Sequence, residues 1–130
     1  MSKIIDLNDM YTIWAENPAI VAAWVFGSAQ HGKVHQSGDI DIAILTNRPL
    51  TWIEKLDILG ALQDKLQFEN VELIVLNEAN SILRFEAVCG RLLFSRDEGQ
   101  RAVFVSLTAR EYEDEMAQWQ RALQLRGNIA

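Results

Sequence analysis

Apolar residues recur at helical spacing in several segments and fall in short unbroken runs between them, a pattern that predicts alternating helices and strands. Residues 8–16 place Met10, Ile13 and Trp14 three or four positions apart, with Asn8 as a candidate cap and Pro18 just beyond the end. Residues 20–26 form an apolar run rich in β-branched and aromatic side chains, stopped by Gly27-Ser28, and residues 39–45 form a second run interrupted only by Asp39 and Asp41. Across residues 50–68, Ile53, Leu56, Leu59, Leu62 and Leu66 alternate with charged positions as in an amphipathic helix. Residues 71–76 read as a buried strand whose apolar run is broken by Glu72. A helix over residues 79–89 is expected to end on Gly90 as a left-handed residue, and the apolar stretch Leu92-Leu93-Phe94 follows. Asp97 can cap a last long helix over about residues 98–125, with room for a break, in which Phe104, Tyr112, Met116, Trp119 and Leu123 make one stripe. This order predicts an α+β or α/β fold in which helices cover one face of a small mixed sheet.

Length and composition narrow the picture. At 130 residues, 49% hydrophobic and 23% charged, the chain is expected to be one globular domain over 1–130, with a core at about 19–95 and a helical segment at about 97–126. No run reaches the roughly 18 apolar residues of a membrane span, and the opening residues lack a signal core, so a cytoplasmic location without membrane contact is expected. The lone Cys89 excludes an internal disulfide and a zinc site built on several thiolates, and beside Val88 it reads as a buried thiol. A net charge of −6 without a visible basic face argues against direct nucleic-acid binding. It also means that a polyanionic substrate would need a metal or a few placed cations.

The segment with most chemical content is Val25-Phe26-Gly27-Ser28, followed by ten residues and then Asp39-Ile40-Asp41. Strand residues two apart share a face, so Asp39 and Asp41 project together. Their mutual repulsion is relieved by a divalent cation, and hard oxygen ligands suit Mg²⁺, which keeps waters and phosphate oxygens as its other ligands. At the end of the preceding strand, Gly27 lets backbone N–H groups approach a phosphate and the Ser28 hydroxyl can donate another bond; a short helix starting near Ala29 would turn its positive end to the same anion. Glu72, from a neighbouring strand, supplies a third acid able to bind the metal and to take a proton from an attacking hydroxyl. Each piece alone is commonplace; in this order they form a candidate site for metal-bound triphosphate.

The Gly-Ser, ten-residue, Asp-x-Asp pattern resembles the signature of the minimal nucleotidyltransferases (MNT) of the polymerase-β superfamily. Val71-Glu72-Leu73-Ile74-Val75-Leu76-Asn77, Leu83-Arg84-Phe85-Glu86 and Gly90-Arg91-Leu92-Leu93-Phe94 are similar to that family's downstream pattern, so the resemblance spans about residues 19–95. It implies a polymerase-β-like fold in which Gly27 and Ser28 hold the triphosphate of ATP, Asp39 and Asp41 bind Mg²⁺, and Glu72 stands at the third-acid position. It further implies the MntA-type antitoxin half of a HEPN/MNT toxin–antitoxin pair, which transfers AMP from ATP to a tyrosine of the HEPN ribonuclease toxin. Two positions depart from the pattern: Glu72 stands where the family more often has Asp, and His31 where it commonly has Arg. Lys33, His35 and Arg48 are the cations that could compensate for the second, although each reads first as a solvated surface residue.

The chain has little room for the added regions that hold a small-molecule or nucleic-acid acceptor, which favours a protein acceptor; Tyr112, Met116 and Trp119 could help dock it or could equally well cover the sheet. Transfer to a small molecule is the weaker reading. A non-catalytic antitoxin that inhibits the HEPN toxin by binding is the main alternative, which the retained Gly-Ser and aspartates disfavour.

Overall fold

The computed structural model describes residues 2–129; Met1 and Ala130, the ends of the expected 1–130 domain, lie outside the described residues. Its central sheet has the strand order β5-β4-β2-β6, where β2 is Ile20–Phe26, β4 Ile40–Thr46, β5 Val71–Val75 and β6 Arg91–Ser95. β2 runs antiparallel to β4 and β6, whereas β4 and β5 are parallel, joined by the crossover helix α2 (Trp52–Leu66). The sheet is therefore mixed, as expected.

Every residue of β2 is buried, which requires cover on both faces of the sheet. On one face Ile20, Val25, Ile42 and Ile44 pack with Met10, Trp14, Ile58 and Leu62, from the first helical segment and α2. On the other, Val21, Trp24, Phe26 and Leu45 pack with Leu83 and Ala87 of α3 (Ser81–Val88) and Phe104 of α4 (Glu98–Ile129). The expectation of helices on one face is thus corrected: two apolar layers sandwich the sheet, and each fully buried Leu or Ile contributes about 1.5–3 kcal/mol.

Local chemistry sets the element ends. The first helical segment opens as a tight turn over Leu7–Met10 and becomes α1 (Tyr11–Glu16). Its cap is Asp6, whose carboxylate accepts the Asn8 N–H at 3.0 Å; Asn8 itself is inside the turn. Asp97 accepts the Gln100 N–H at 3.0 Å and caps α4, which runs unbroken because nothing after Gly99 interrupts its hydrogen bonding until Gly127 near the end. Two three-residue strands, β1 (Ser2–Ile4) and β3 (Lys33–His35), pair antiparallel and were not foreseen; three residues are too few for a periodic pattern.

Two further expectations change. Gly90 does not adopt a positive φ, a property found only at Gly27, Gly32 and Gln67 among the described residues. It packs against β2 so closely that a Cβ would lie 2.4 Å from the Val25 carbonyl oxygen. Cys89, read as buried, is exposed: it caps the C-terminal end of α3, one residue past Val88. Among the described residues no helix is long and apolar enough to cross a membrane.

The start of α2 carries a pH-dependent stabilisation. Thr51 and Glu54 form a reciprocal capping box, with Glu54 N–H donating to Thr51 Oγ1 at 3.2 Å and Thr51 N–H to Glu54 Oε1 at 2.9 Å. Arg48 adds two bonds to the same carboxylate, at 3.1 and 2.7 Å, and its guanidinium together with the Thr51 N–H lowers the Glu54 carboxyl from 4.5 to about 2. A lowered carboxyl stabilises the fold above its unfolded value and loses that effect as pH falls through its folded value. Glu54→Gln is therefore expected to melt below the wild type at pH 7 and to converge with it towards pH 2. The gap should also narrow in high salt, since the pair is solvent-exposed; melting curves across pH and salt check both.

Candidate active site

Asp41 stands at the crossing of three strands. Its register partners are Phe26 on β2 and Glu72 on β5, and because β4 and β5 are parallel and in step, Asp41 and Glu72 project from the same side of the sheet. Asp39 lies one residue before β4 and is exposed, as is Glu72, whereas Asp41 is half-buried. Burial first, then the charge and hydrogen-bonding reach of Glu72, then Asp39, and finally Glu86 of α3 raise the Asp41 carboxyl above its usual 3.8. Asp41 and Glu72 are therefore neighbours across the β4–β5 pair, and Asp39 lies near enough to act on the Asp41 carboxyl. Glu86 is an addition; the signal for it was an acid set between Phe85 and Ala87 in an otherwise apolar helix segment.

β2 leaves its ladder at Phe26, and Gly27–His31 forms a 3-10 turn against β4. Gly27 is required twice over. Its φ is +71°, and a Cβ there would lie 2.7 Å from Asp41 Oδ2. Only glycine lets the turn sit directly on the carboxylate. Ser28 follows, exposed, and Gly32 closes the turn at φ +83° through its N–H to the Ala29 carbonyl at 3.0 Å. The helical start expected near Ala29 is thus a single tight turn that already begins at Gly27.

Two cavities flank this turn. The larger, about 500 Å³, is bounded by Gly27 and Asp41 at the sheet end and by Ile82, Phe85, Glu86 and Tyr112 from α3 and α4. Phe85 and Tyr112 stack with ring centroids 3.9 Å apart and planes within 6°. The smaller, about 310 Å³, is lined by His31, Lys33 and Arg91 together with Asp6. Of the cations that could compensate for His31, only Lys33 is there. Arg48 is held by Glu54 at the start of α2, and His35 Nδ1 pairs with the Ser37 hydroxyl at 2.7 Å. Arg91 was missed in the sequence; its signal was a basic residue opening a strand that pairs with Val25, two residues before Gly27.

Among the described residues no three His, Cys, Asp or Glu side chains converge as a ready-made metal cage. The donor set nonetheless fits Mg²⁺. The Asp41 carboxyl is raised first by burial and then by the neighbouring Glu72, Asp39 and Glu86, and Mg²⁺ needs only one or two protein carboxylates when waters and phosphate oxygens complete its shell.

A family model described as polymerase beta nucleotidyltransferase matches residues 8–99. No curated protein matches the sequence. Among solved structures, a toxin–antitoxin complex with AMP-PNP contains a chain 24% identical, with TM-score 0.76 over 92% of this chain and 97% of that one. A mutant MntA–HpeT toxin–antitoxin pair contains one at 23% identity and TM-score 0.77, with the same coverage of both. The complex of a tri-AMPylated HEPN toxin from Shewanella oneidensis with its MNT antitoxin gives 22% identity and TM-score 0.71, over 91% of this chain and 92% of that one. With its mixed sheet, long last helix and site at the β2 turn, the chain belongs to the polymerase beta nucleotidyltransferase family.

Proposed function

We propose that this chain is an Mg²⁺-dependent protein adenylyltransferase that moves AMP from ATP to a tyrosine hydroxyl of a HEPN-type ribonuclease toxin, and so acts in the cytoplasm as its antitoxin. The observation that carries the reading is Asp41 directly beneath Gly27 and in register with Glu72, with Asp39 two residues earlier. The AMP-PNP and tri-AMPylated complexes of similar fold supply the class of donor and acceptor.

In this mechanism Asp39 and Asp41 hold Mg²⁺, with Glu72 as the third acid, while the backbone after Gly27 and the Ser28 hydroxyl hold the phosphates. Bound there, the metal supplies charge neutralisation at the phosphates. His31, Lys33 and Arg91 lie on the far flank of the turn, where cations would answer the outer phosphates. The tyrosine oxygen attacks the α-phosphorus in line, a new O–P bond forms, and the bond to the β-phosphate oxygen breaks to release pyrophosphate. Glu72 accepts the phenolic proton. Positioning and charge, with no covalent help from the protein, suffice for this class of transfer.

The test is the intact mass of a candidate HEPN-domain toxin after incubation with the purified chain, ATP and Mg²⁺. Successive additions of AMP, absent with Asp39→Asn, are expected. Toxin inhibition with unchanged mass would instead establish inhibition by binding alone, the competing reading favoured by the exposed apolar residues of α4.

A further inference from the structure

Beyond the catalytic cleft, a second trough of about 590 Å³ runs between α3 and the later half of α4, lined by Ile82, Met116, Trp119 and Ala122 with Glu115 and Gln118 at its rim. Ile82 is a wall of both cavities, and Tyr112, which faces the catalytic cleft, lies one helical turn before Met116 on the same face of α4. The two cavities therefore adjoin across Ile82, one at Asp41 and the other at Trp119. The Trp119 end is unusually bare for a folded surface: Trp119 is 61% exposed and Leu123 47%.

We propose that this trough is the docking groove for the acceptor protein, and that the bound segment lays an apolar anchor on Ile82, Met116 and Trp119 and carries its acceptor hydroxyl past Tyr112 to the acids. The inference rests on the reading that the acceptor is a protein. Charge decides between possible occupants. Glu115 lines the groove and Glu86 stands at its inner end, Glu111 is paired with Arg84, and the next cation along this face of α4 is Arg126. Arg84, the one cation close by, is engaged with Glu111 at 3.7 Å and with the Leu76 and Asn77 carbonyls at 2.8 and 3.0 Å. A second copy of this chain would bring another −6 charge and the same acidic rim. The groove therefore suits a segment with basic residues around its hydroxyl, an arrangement that also speeds encounter with an acidic enzyme.

The experiment compares wild type, Trp119→Ala and Trp119→Phe for binding of the candidate HEPN-domain toxin by titration calorimetry, and for AMP transfer by intact mass. Trp119→Ala is expected to weaken binding and raise the KM for the acceptor at least about tenfold, as for a central aromatic anchor. Its kcat, KM for ATP and Tm should stay within twofold or a degree of wild type, and Trp119→Phe should recover most of the loss. Wild-type affinity and KM in Trp119→Ala would overturn the groove. Binding that depends on Trp119 with no transfer by wild type would overturn the catalytic reading, and with it the assignment of the occupant as acceptor. A dimer of the chain alone that Trp119→Ala dissolves in sedimentation would overturn the choice of occupant.

Discussion

Asp41→Asn is expected to lower AMP transfer by at least about 10³-fold, equivalent to about 4 kcal/mol of transition-state stabilisation, while leaving the Tm of the metal-free protein at or above wild type. The two halves of this result have one cause. Asp41 lies in register with Glu72 and directly beneath Gly27, so in the proposed mechanism no other charge can take its place against the turn. In the metal-free fold that same charge is unfavourable, because burial and then Glu72, Asp39 and Glu86 raise the Asp41 carboxyl above 3.8. A raised carboxyl means that the folded state binds protons more readily than the unfolded one, so stability falls as pH rises through the titration. The Asn variant removes this cost, and its Tm advantage should vanish below pH 3.8, where both carboxyl states are neutral. Addition of Mg²⁺ should stabilise wild type more than the variant. A fall of several degrees in Tm that matches the loss of activity would mark Asp41 as structural instead. Intact-mass rates and calorimetric melts, measured on the same preparations, separate the outcomes.

The parts of this site that sequence disclosed are those written in local spacing. Gly27-Ser28 after an apolar run and Asp39-Ile40-Asp41 at strand period each specify a local geometry, and the structure adds only that the two strands are neighbours. Glu72 could be named because it breaks an apolar run, and the parallel pairing of β4 with β5 then places it beside Asp41. Glu86 and Arg91 depend on how α3 and β6 return across the sheet, which no short window records. One correction was available in the sequence and was passed over. The seven-residue run Ile20–Phe26 has no polar alternation, and a strand buried throughout demands cover on both faces of its sheet. Gly90 is a different case. It follows a helix, where glycine usually serves a left-handed end, and only the approach of β2 reveals that the missing Cβ matters for space and not for φ. Cys89 was misjudged for the same reason, since its exposure follows from where α3 stops and not from residue type.

Gly90→Ala is expected to be among the most destabilising single-methyl additions this chain can receive, costing about 3 kcal/mol and lowering Tm on the order of 10 °C. An added Cβ would lie 2.4 Å from the Val25 carbonyl oxygen, 2.8 Å from Phe26 Cβ and 3.0 Å from Phe26 Cα. None of these atoms is the free end of a side chain that could swing aside. Val25 and Phe26 lie in β2, which is bonded to strands on both sides, so relief requires moving either the centre of the sheet or the junction of α3 with β6. The second is the softer route, since β6 is an edge strand, and it would carry Glu86 and Arg91 away from the cleft. Gly60→Ala is the matched control. Gly60 lies inside α2 with nothing within 4 Å of an added Cβ, and alanine there should stabilise by up to about 1 kcal/mol through helix propensity. Opposite signs for the two substitutions in the same thermal melt would tie the loss to the Val25 and Phe26 contact. Equal, small effects would show that the α3–β6 junction yields without cost.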